Sequence, residues 1–380
     1  MAEDPERYPG RASRREFIAT AGVAGVAATA GCMGDSLRGA RRAEGASTST
    51  ETASSGESGG ESDGASGGPG TLTSGGSSTV YPIMNSGGSY WNANRPASDA
   101  EYWPHDEYGI DTDENLADYW AGLYGFEPGE DGKAPFRFTV ALSHSGTGVE
   151  KVMDEQIDIG NSSGDVEDEL PDRESYEQFT DHVVGVDGQP LVVSEEIADA
   201  GVEQITGQQL KDLYKGRLTN WSELGGPDRE IQVLGRVKGS GTRTSFVSNV
   251  FGNPGEDTSV ANRFGQNQRL AEAIGQADNA ISYLALTFID ADGVSPIALE
   301  WEGTTYSYRD DRNGLDSKAY PLSRDLHAYT WDGTSEQEAA FLRMLLSDFG
   351  QDTFVEPNNY FALGDRRQEA QLAKLPEPTN

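Results

Sequence analysis

The sequence predicts an α/β fold, and three observations carry that prediction. Strand-like and helix-like segments alternate from residue 72 to residue 356. Short turns of Gly, Ser and Thr recur at the ends of the strand-like segments: "GSSTVYP" (76–82), "SHSGTGV" (143–149), "NSSGD" (161–165) and "GRVKGSGTRTSF" (235–246). Hydrophobic residues make up 35% of the 380 residues, with tryptophans spread from Trp91 to Trp331, enough to build cores rather than a disordered chain.

In chain order, "STVYPI" reads as a strand entering a turn, and "FRFTVALS" (136–143) as an alternating strand. "HSGTG" breaks that strand, and "VEKVMDEQ" has helical character. "IDIGNSS" is a short strand, and "HVVGVDGQPLVVS" (182–194) holds two β-rich runs. In "TGQQLKDLYKGRLTNWSELGG" (206–226), Leu210, Leu213 and Tyr214 share one helical face and Gly216 ends the helix. "IQVLGRV" is a strand, followed by a helix with Phe246, Val247, Val250 and Phe251 inward. "NAISYLAL" and "HAYTW" are further strands. Residues 335–356 read as one long helix with Ala339, Leu342, Leu345, Leu346 and Phe349 on its apolar face.

The first seventy residues have a different character. Arg14-Arg15 precede a mildly apolar run, Phe17 to Ala30, too short and too rich in Gly, Ala and Thr to span a bilayer. This pattern predicts a twin-arginine export signal over residues 1–31. "TAGC" is similar to a lipobox, which would make Cys32 the lipid-bearing first residue after cleavage and hold the protein at the extracytoplasmic face of the membrane. Residues 32–71, dominated by Ser, Gly, Thr and Glu without aromatics, are expected to form a flexible tether.

The formal net charge of −34 argues against nucleic-acid binding, since a polyanion repels phosphate backbones. The carboxylates are scattered from Glu101 to Asp365, as on a surface hydrated for high salt, so a halophilic source is expected. With one cysteine there is no intrachain disulfide and no CxxC zinc site. The histidines (105, 144, 182 and 327) show no metal-ligand spacing. No GxSxG elbow and no GxxxxGK[ST] loop occurs. No cofactor or metal is expected.

The recurring turns carry the chemistry. A helix start presents unpaired N–H groups and the positive end of the helix dipole, and Ser and Thr add hydroxyl donors. One such turn is an ordinary cap. Several converging on one cleft would make a pocket for an oxyanion, and Arg236 would add a bidentate charged partner. Arg243 lies in a first helical turn, where the dipole disfavours a cation; a bound anion or a salt bridge would each resolve that conflict.

Together, "GSSTVYP", "SHSGTGVEKVMDEQIDIGNSS", "LKDLYKGRLTNWSELGG", "GRVKGSGTRTSF", "NAISYL" and "YPLSRDLHAYT" resemble, in order, the phosphate-binding proteins of phosphate ABC transporters. The likeness spans most of residues 75–365, and the export signal and lipobox are those a lipoprotein member from a halophilic archaeon would carry. The resemblance implies a two-lobed type II solute-binding fold, each lobe a mixed sheet flanked by helices. Hinge crossovers fall at "PLVVSEE" (190–196) and "YPLSRDL" (320–326). Lobe I would be 72–193 plus 320–375, and lobe II 194–319. It further implies a monomeric receptor that delivers inorganic phosphate to ABC permease subunits, with no catalysis. By the same resemblance, phosphate is held by Ser78, Thr79 and Val80, by Ser145 and Ser163, and by Arg236, Ser240, Gly241, Thr242 and Arg243.

Two positions depart from the family. Where some members carry a proton-accepting aspartate, this chain has Ser163, with Asp165 close by as a substitute. Lys238 stands near the arginine, where an acidic residue is common, and would make the pocket more cationic. Rival expectations are a receptor for sulfate, molybdate or tungstate, and a secreted phosphatase using a turn serine with His144 as base.

Overall fold

The computed structural model describes residues 70–310 and 312–379. The twin-arginine signal, Cys32 and nearly all of the tether lie outside the described residues. The chain forms β1 (Leu72–Ser77), α1 (Tyr81–Ala93), α2 (Leu116–Gly122), β2 (Phe138–Ser143), α3 (Ser145–Met153), β3 (Ile159–Ser162), α4 (Val166–Glu169) and β4 (Phe179–Gly188). Then come β5 (Leu191–Ser194), α5 (Glu195–Asp199), β6 (Gln204–Thr206), α6 (Gly207–Tyr214), β7 (Gln232–Arg236), α7 (Gly241–Phe251), β8 (Asn262–Phe264), α8 (Asn267–Gly275) and β9 (Ala280–Tyr283). The chain closes with β10 (Val294–Trp301), β11 (Thr304–Tyr306), β12 (Ser323–Trp331), α9 (Glu336–Leu346), α10 (Asp348–Gly350) and α11 (Asp365–Leu372).

The strands make two mixed sheets. The first has the order β2-β1-β3-β12-β4, with β1, β2 and β3 mutually parallel and β12 antiparallel to its neighbours. The second has the order β11-β10-β5-β9-β7-β8, with β6 alongside β10. Its β7, β8 and β9 are parallel, β5 runs against them, and β10 is antiparallel to β5 and so shares their direction. Parallel neighbours need crossover helices, which explains the strand–helix alternation of the sequence. The fold is thus the expected α/β arrangement of two sheets flanked by helices.

The chain passes from the first sheet to the second at Gln189-Pro190. β5, which the sequence-based boundary at residue 193 splits, lies wholly in the second sheet. The return passage precedes Ser323, which pairs with Gly188. The two passages touch: the Tyr320 hydroxyl donates to the Gln189 carbonyl at 2.7 Å.

Two elements differ from expectation. "STVYPI" is not a strand: Ser78 to Val80 form a turn, and Pro82 sits in the first turn of α1, where its missing N–H costs nothing. The strand lies earlier, in "LTSGGS", whose small residues allow close passage at the sheet centre. Gly76 has φ +133°, and a Cβ there would lie 2.2 Å from the Asn161 carbonyl oxygen. The long helix of 335–356 breaks at Ser347, whose ψ of 163° ends α9 and whose hydroxyl caps the next turn through Gly350 N–H.

The helix faces read from periodicity are inward. Leu210, Leu213 and Tyr214 are buried, and Tyr214 meets Phe246, which stacks on Tyr283 with centroids 3.7 Å apart. Ala339, Leu342, Leu345, Leu346 and Phe349 are all buried, while Phe251 is half-buried. Beside them Phe341 of α9 stacks on Phe138 of β2 at 3.8 Å. Among the described residues, no helix is long and apolar enough to cross a membrane.

Candidate functional site

The parallel strands of both sheets end in the small polar turns singled out by the sequence. β1 runs into Ser78-Thr79-Val80 and α1; β2 runs through His144 into α3 at Ser145; β3 ends beside Ser163-Gly164. In the second sheet β7 ends at Arg236, Gly239 turns with φ +80°, and Ser240 is the extended N-cap of α7. β8 leads through Gln266 into α8 at Asn267. Helix starts and strand ends from two sheets therefore meet at one place, the position where open α/β sheets bind ligands.

The side chains there form a connected buried cluster. Thr79 Oγ1 and Thr242 Oγ1 share a hydrogen bond of 3.0 Å between the two sheets. Ser77 Oγ donates to Ser163 Oγ at 2.9 Å, and Ser163 N–H donates to Ser145 Oγ at 3.2 Å. Arg236 donates from Nη1 to Thr242 Oγ1 at 3.1 Å and from Nη2 to Ser78 Oγ at 3.3 Å. Its remaining donors reach the carbonyls of Phe264 and Gly265, at 3.1 and 2.7 Å. The Asn267 amide donates to Ser78 Oγ and Thr79 Oγ1 at 3.2 and 3.1 Å. The α3 and α7 ends also meet through the backbone, Gly146 N–H donating to the Gly239 carbonyl at 3.3 Å. Gly241 passes so close that a Cβ there would lie 2.3 Å from Ser145 Oγ and 2.8 Å from Ser163 Oγ.

Sequence reasoning missed Arg324, Asp187, Gln189 and Asn267, all buried. Arg324 lies in β12, within a segment read only as a hinge. From it Nη1 donates to the Ser163 carbonyl and Ser245 Oγ at 2.9 and 3.0 Å, and Nη2 to Thr79 Oγ1 and Thr242 Oγ1 at 3.3 Å each. Gln189, on the first crossover, donates from Nε2 to the Thr242 carbonyl at 2.8 Å. The available signal was a pair of opposite charges, Asp187 beside one hinge segment and Arg324 within the other.

The electrostatics favour an anion. Burial lowers the Arg236 guanidinium to about 10, with Arg324 adding repulsion, so it stays charged at neutral pH. Among the described residues no carboxylate pairs with it; its partners are hydroxyls and carbonyls. Arg324 differs, being neutralised by Asp187 at 2.6 Å. Burial raises the Asp187 carboxyl, opposed by Arg324 and by the Leu286 N–H. The cluster thus carries one unpaired buried positive charge among groups that can donate. Ser240 Oγ and Asn267 Oδ1 are buried without a partner among the described residues, polar atoms a bound molecule would satisfy.

The expected site residues divide as follows. Ser78, Thr79, Ser145, Ser163, Arg236, Gly241 and Thr242 come together. Ser240 caps α7 at the cluster, and Val80 lies under it with its side chain in the core. Arg243 turns away: its guanidinium donates to the carbonyls of Pro254 and Glu256, at 3.3 and 2.8 Å. Lys238 is exposed and joins no bond of the cluster. Asp165 does not stand in for the missing aspartate; it faces His327 at 3.3 Å. His144 makes no hydrogen bond with Ser145, whose hydroxyl is engaged by Ser163. Burial and Arg236 lower the His144 pKa. The nucleophile–base contact that a phosphatase needs is not formed.

Two mixed sheets, two adjoining crossovers and a buried donor cluster at the meeting strand ends define a solute-binding protein of the two-lobed type II fold. A family model described as a PBP superfamily domain matches residues 125–349, and the chain belongs to that superfamily. The phosphate-binding protein PstS of Bacillus subtilis (strain 168) is 28% identical over 228 residues, 60% of this chain and 72% of that protein. PstS of Staphylococcus aureus (strain MRSA252) is 22% identical over 251 residues, 63% of this chain and 73% of that protein. Among solved structures, a candidate phosphate ABC transporter substrate-binding protein from Clostridium perfringens with bound phosphate has a TM-score of 0.56 at 23% identity, covering 77% of this chain and 99% of its own. An ABC-type phosphate transport receptor from Vibrio cholerae has a TM-score of 0.51 at 22% identity, covering 76% and 99%.

Proposed function

We propose that this chain is an extracytoplasmic receptor that binds inorganic phosphate between its two lobes and delivers it to the permease of an ABC transporter. It is a binding protein, not an enzyme. The observation that carries this reading is the convergence of Arg236 and Asn267 from the second sheet on Ser78 and Thr79 from the first. Phosphate-binding relatives and a phosphate-bound neighbour of the same fold support it.

The mechanism follows from the donors. Phosphate is taken by the hydroxyls of Ser78, Thr79, Ser145, Ser163 and Thr242, by backbone N–H groups at the starts of α1, α3 and α7, and by Arg236. Opposed hydroxyls now 3.0 Å apart bond each other directly, so the lobes must part to admit an anion. Closing around phosphate replaces hydroxyl–hydroxyl bonds by charge-assisted bonds from both lobes, so the ligand favours the closed state. The lobes on this reading run from 72 to 189 with 323 to 375, and from 191 to 322. Gln189, Pro190 and Tyr320 sit at the hinge.

The finer assignments belong to the same proposal. Cys32 carries the lipid after twin-arginine export, residues 32–71 tether a monomeric receptor to the membrane, and the acidic surface suits high salt. Calorimetry with phosphate and with sulfate, at two pH values, tests the function. Saturable phosphate binding that sulfate fails to displace is expected; preferential sulfate binding would overturn the ligand assignment.

A further inference from the structure

Glu169 is a half-buried residue, its carboxyl Oε1 fully covered, that the binding reading leaves unused. It ends α4, between β3 and β4 of the first sheet, and α4 packs against α7 of the second. The Thr244 hydroxyl of α7 faces it while donating to the Ser240 carbonyl at 3.3 Å. On the other sides are the Gly146 turn of α3, where a Cβ would lie 3.4 Å from Glu169 Oε2, and Gly164, where a Cβ would lie 2.9 Å from Oε1. Oε1 is buried and finds no partner among the described residues. An ionised carboxylate held this way lacks the solvation it would have in water, whereas a protonated one does not need it.

We propose that Glu169 is a proton-linked latch between the lobes: it takes a proton from solvent when they close and returns it when they open. The inference rests on the reading of this chain as a receptor that closes on phosphate. The groups facing Glu169 agree with it. Burial is the largest influence and raises the carboxyl to about 7; Asp168 on its own helix adds to this. Thr244, Arg324 from β12 and Arg243 from α7 pull the other way without reversing it. Parting the lobes removes Thr244 and lets water reach the carboxyl, which returns toward its ordinary value of 4.5. The sign follows. Closure gains a proton between those two values, so the closing constant falls about tenfold per pH unit from pH ~5 to ~7 and is level above.

The test is titration calorimetry with inorganic phosphate on the full chain, in buffers of different ionisation enthalpy. Wild type is compared with Glu169→Gln, so phosphate's own ionisation cancels. At pH 6 wild type should take up about 0.9 proton more than the variant, and at pH 8.5 the two should agree. Equal uptake at pH 6 with normal phosphate binding overturns the latch and leaves the receptor reading intact. Failure of wild type to bind phosphate overturns both. If Glu169→Gln does not fold, Thr244→Val carries the test. Losing the hydroxyl that favours the ionised form should move the affinity limb to higher pH, and a limb coinciding with wild type overturns the proposal.

Discussion

Arg324 and Asp187 are register partners on β12 and β4, and both Nε and Nη2 of the arginine bond the same carboxylate oxygen, at 2.9 and 2.6 Å. The other carboxylate oxygen takes the Leu286 N–H from the second lobe at 2.8 Å. The free Nη1 reaches Ser163 and Ser245. One buried ion pair thus fixes the sheet, the hinge side and two turns of the cluster. Arg324→Met should leave Asp187 buried without its counter-charge and cost about 3–5 kcal/mol of stability. Urea unfolding of the two proteins measures this; an unchanged midpoint would mean the pair is not buried.

Arg236 supplies the cluster's unpaired charge. Arg236→Ala should weaken phosphate binding by roughly a hundredfold, since two charge-assisted bonds at about 1.5 kcal/mol or more each are lost. Arg243→Ala, whose guanidinium serves the 254–256 loop, should change affinity far less. Calorimetry on both variants checks the contrast, and equal losses would contradict the orientation of Arg243.

Gly241 is a steric test of closure. Gly241→Ala puts a methyl within 3 Å of two short, fixed serine hydroxyls, so the lobes cannot reach the closed distance. The variant should fold normally, remain open in solution scattering with phosphate present, and bind at least tenfold more weakly. Full compaction would show that the approach of α7 to Ser145 is not required.

His327 sets a pH limit at some distance from the cluster. It stacks on Tyr329 and lies between Asp181 at 2.8 Å and Asp165 at 3.3 Å. Burial alone would lower its pKa, but the two carboxylates hold it up at about 10. Its folded pKa is above its ordinary value of 6.5, so its stabilisation is full below pH ~6.5 and is lost as pH rises through ~10. The melting temperature should therefore decline over that window in the wild type and less so in His327→Gln. Parallel pH profiles would contradict the assignment.

Much of this was legible in the sequence, for physical reasons. Helices announced themselves where periodicity and caps agreed, as at Leu210, Leu213 and Tyr214 behind the Thr206–Gln209 capping box. The turns were legible because Gly, Ser and Thr cluster where helix starts need donors. β1 was not, because "LTSGGS" trades strand propensity for close packing between β2 and β3. The break at Ser347 was hidden because apolar periodicity continues through Phe349. Arg324 and Asn267 escaped notice because their roles depend on pairings 245 and 188 residues away in the chain, at Thr79. Arg243 misled because sequence places a residue on a helix turn but not the direction of a long side chain.

The most direct measurement is a crystal structure grown with phosphate. One phosphate is expected between the lobes, its oxygens bonded to Ser78, Thr79, Ser145, Ser163, Arg236 and Thr242, with the Thr79–Thr242 bond broken. Phosphate bound elsewhere, or a cluster still bonded to itself at saturating phosphate, would contradict it.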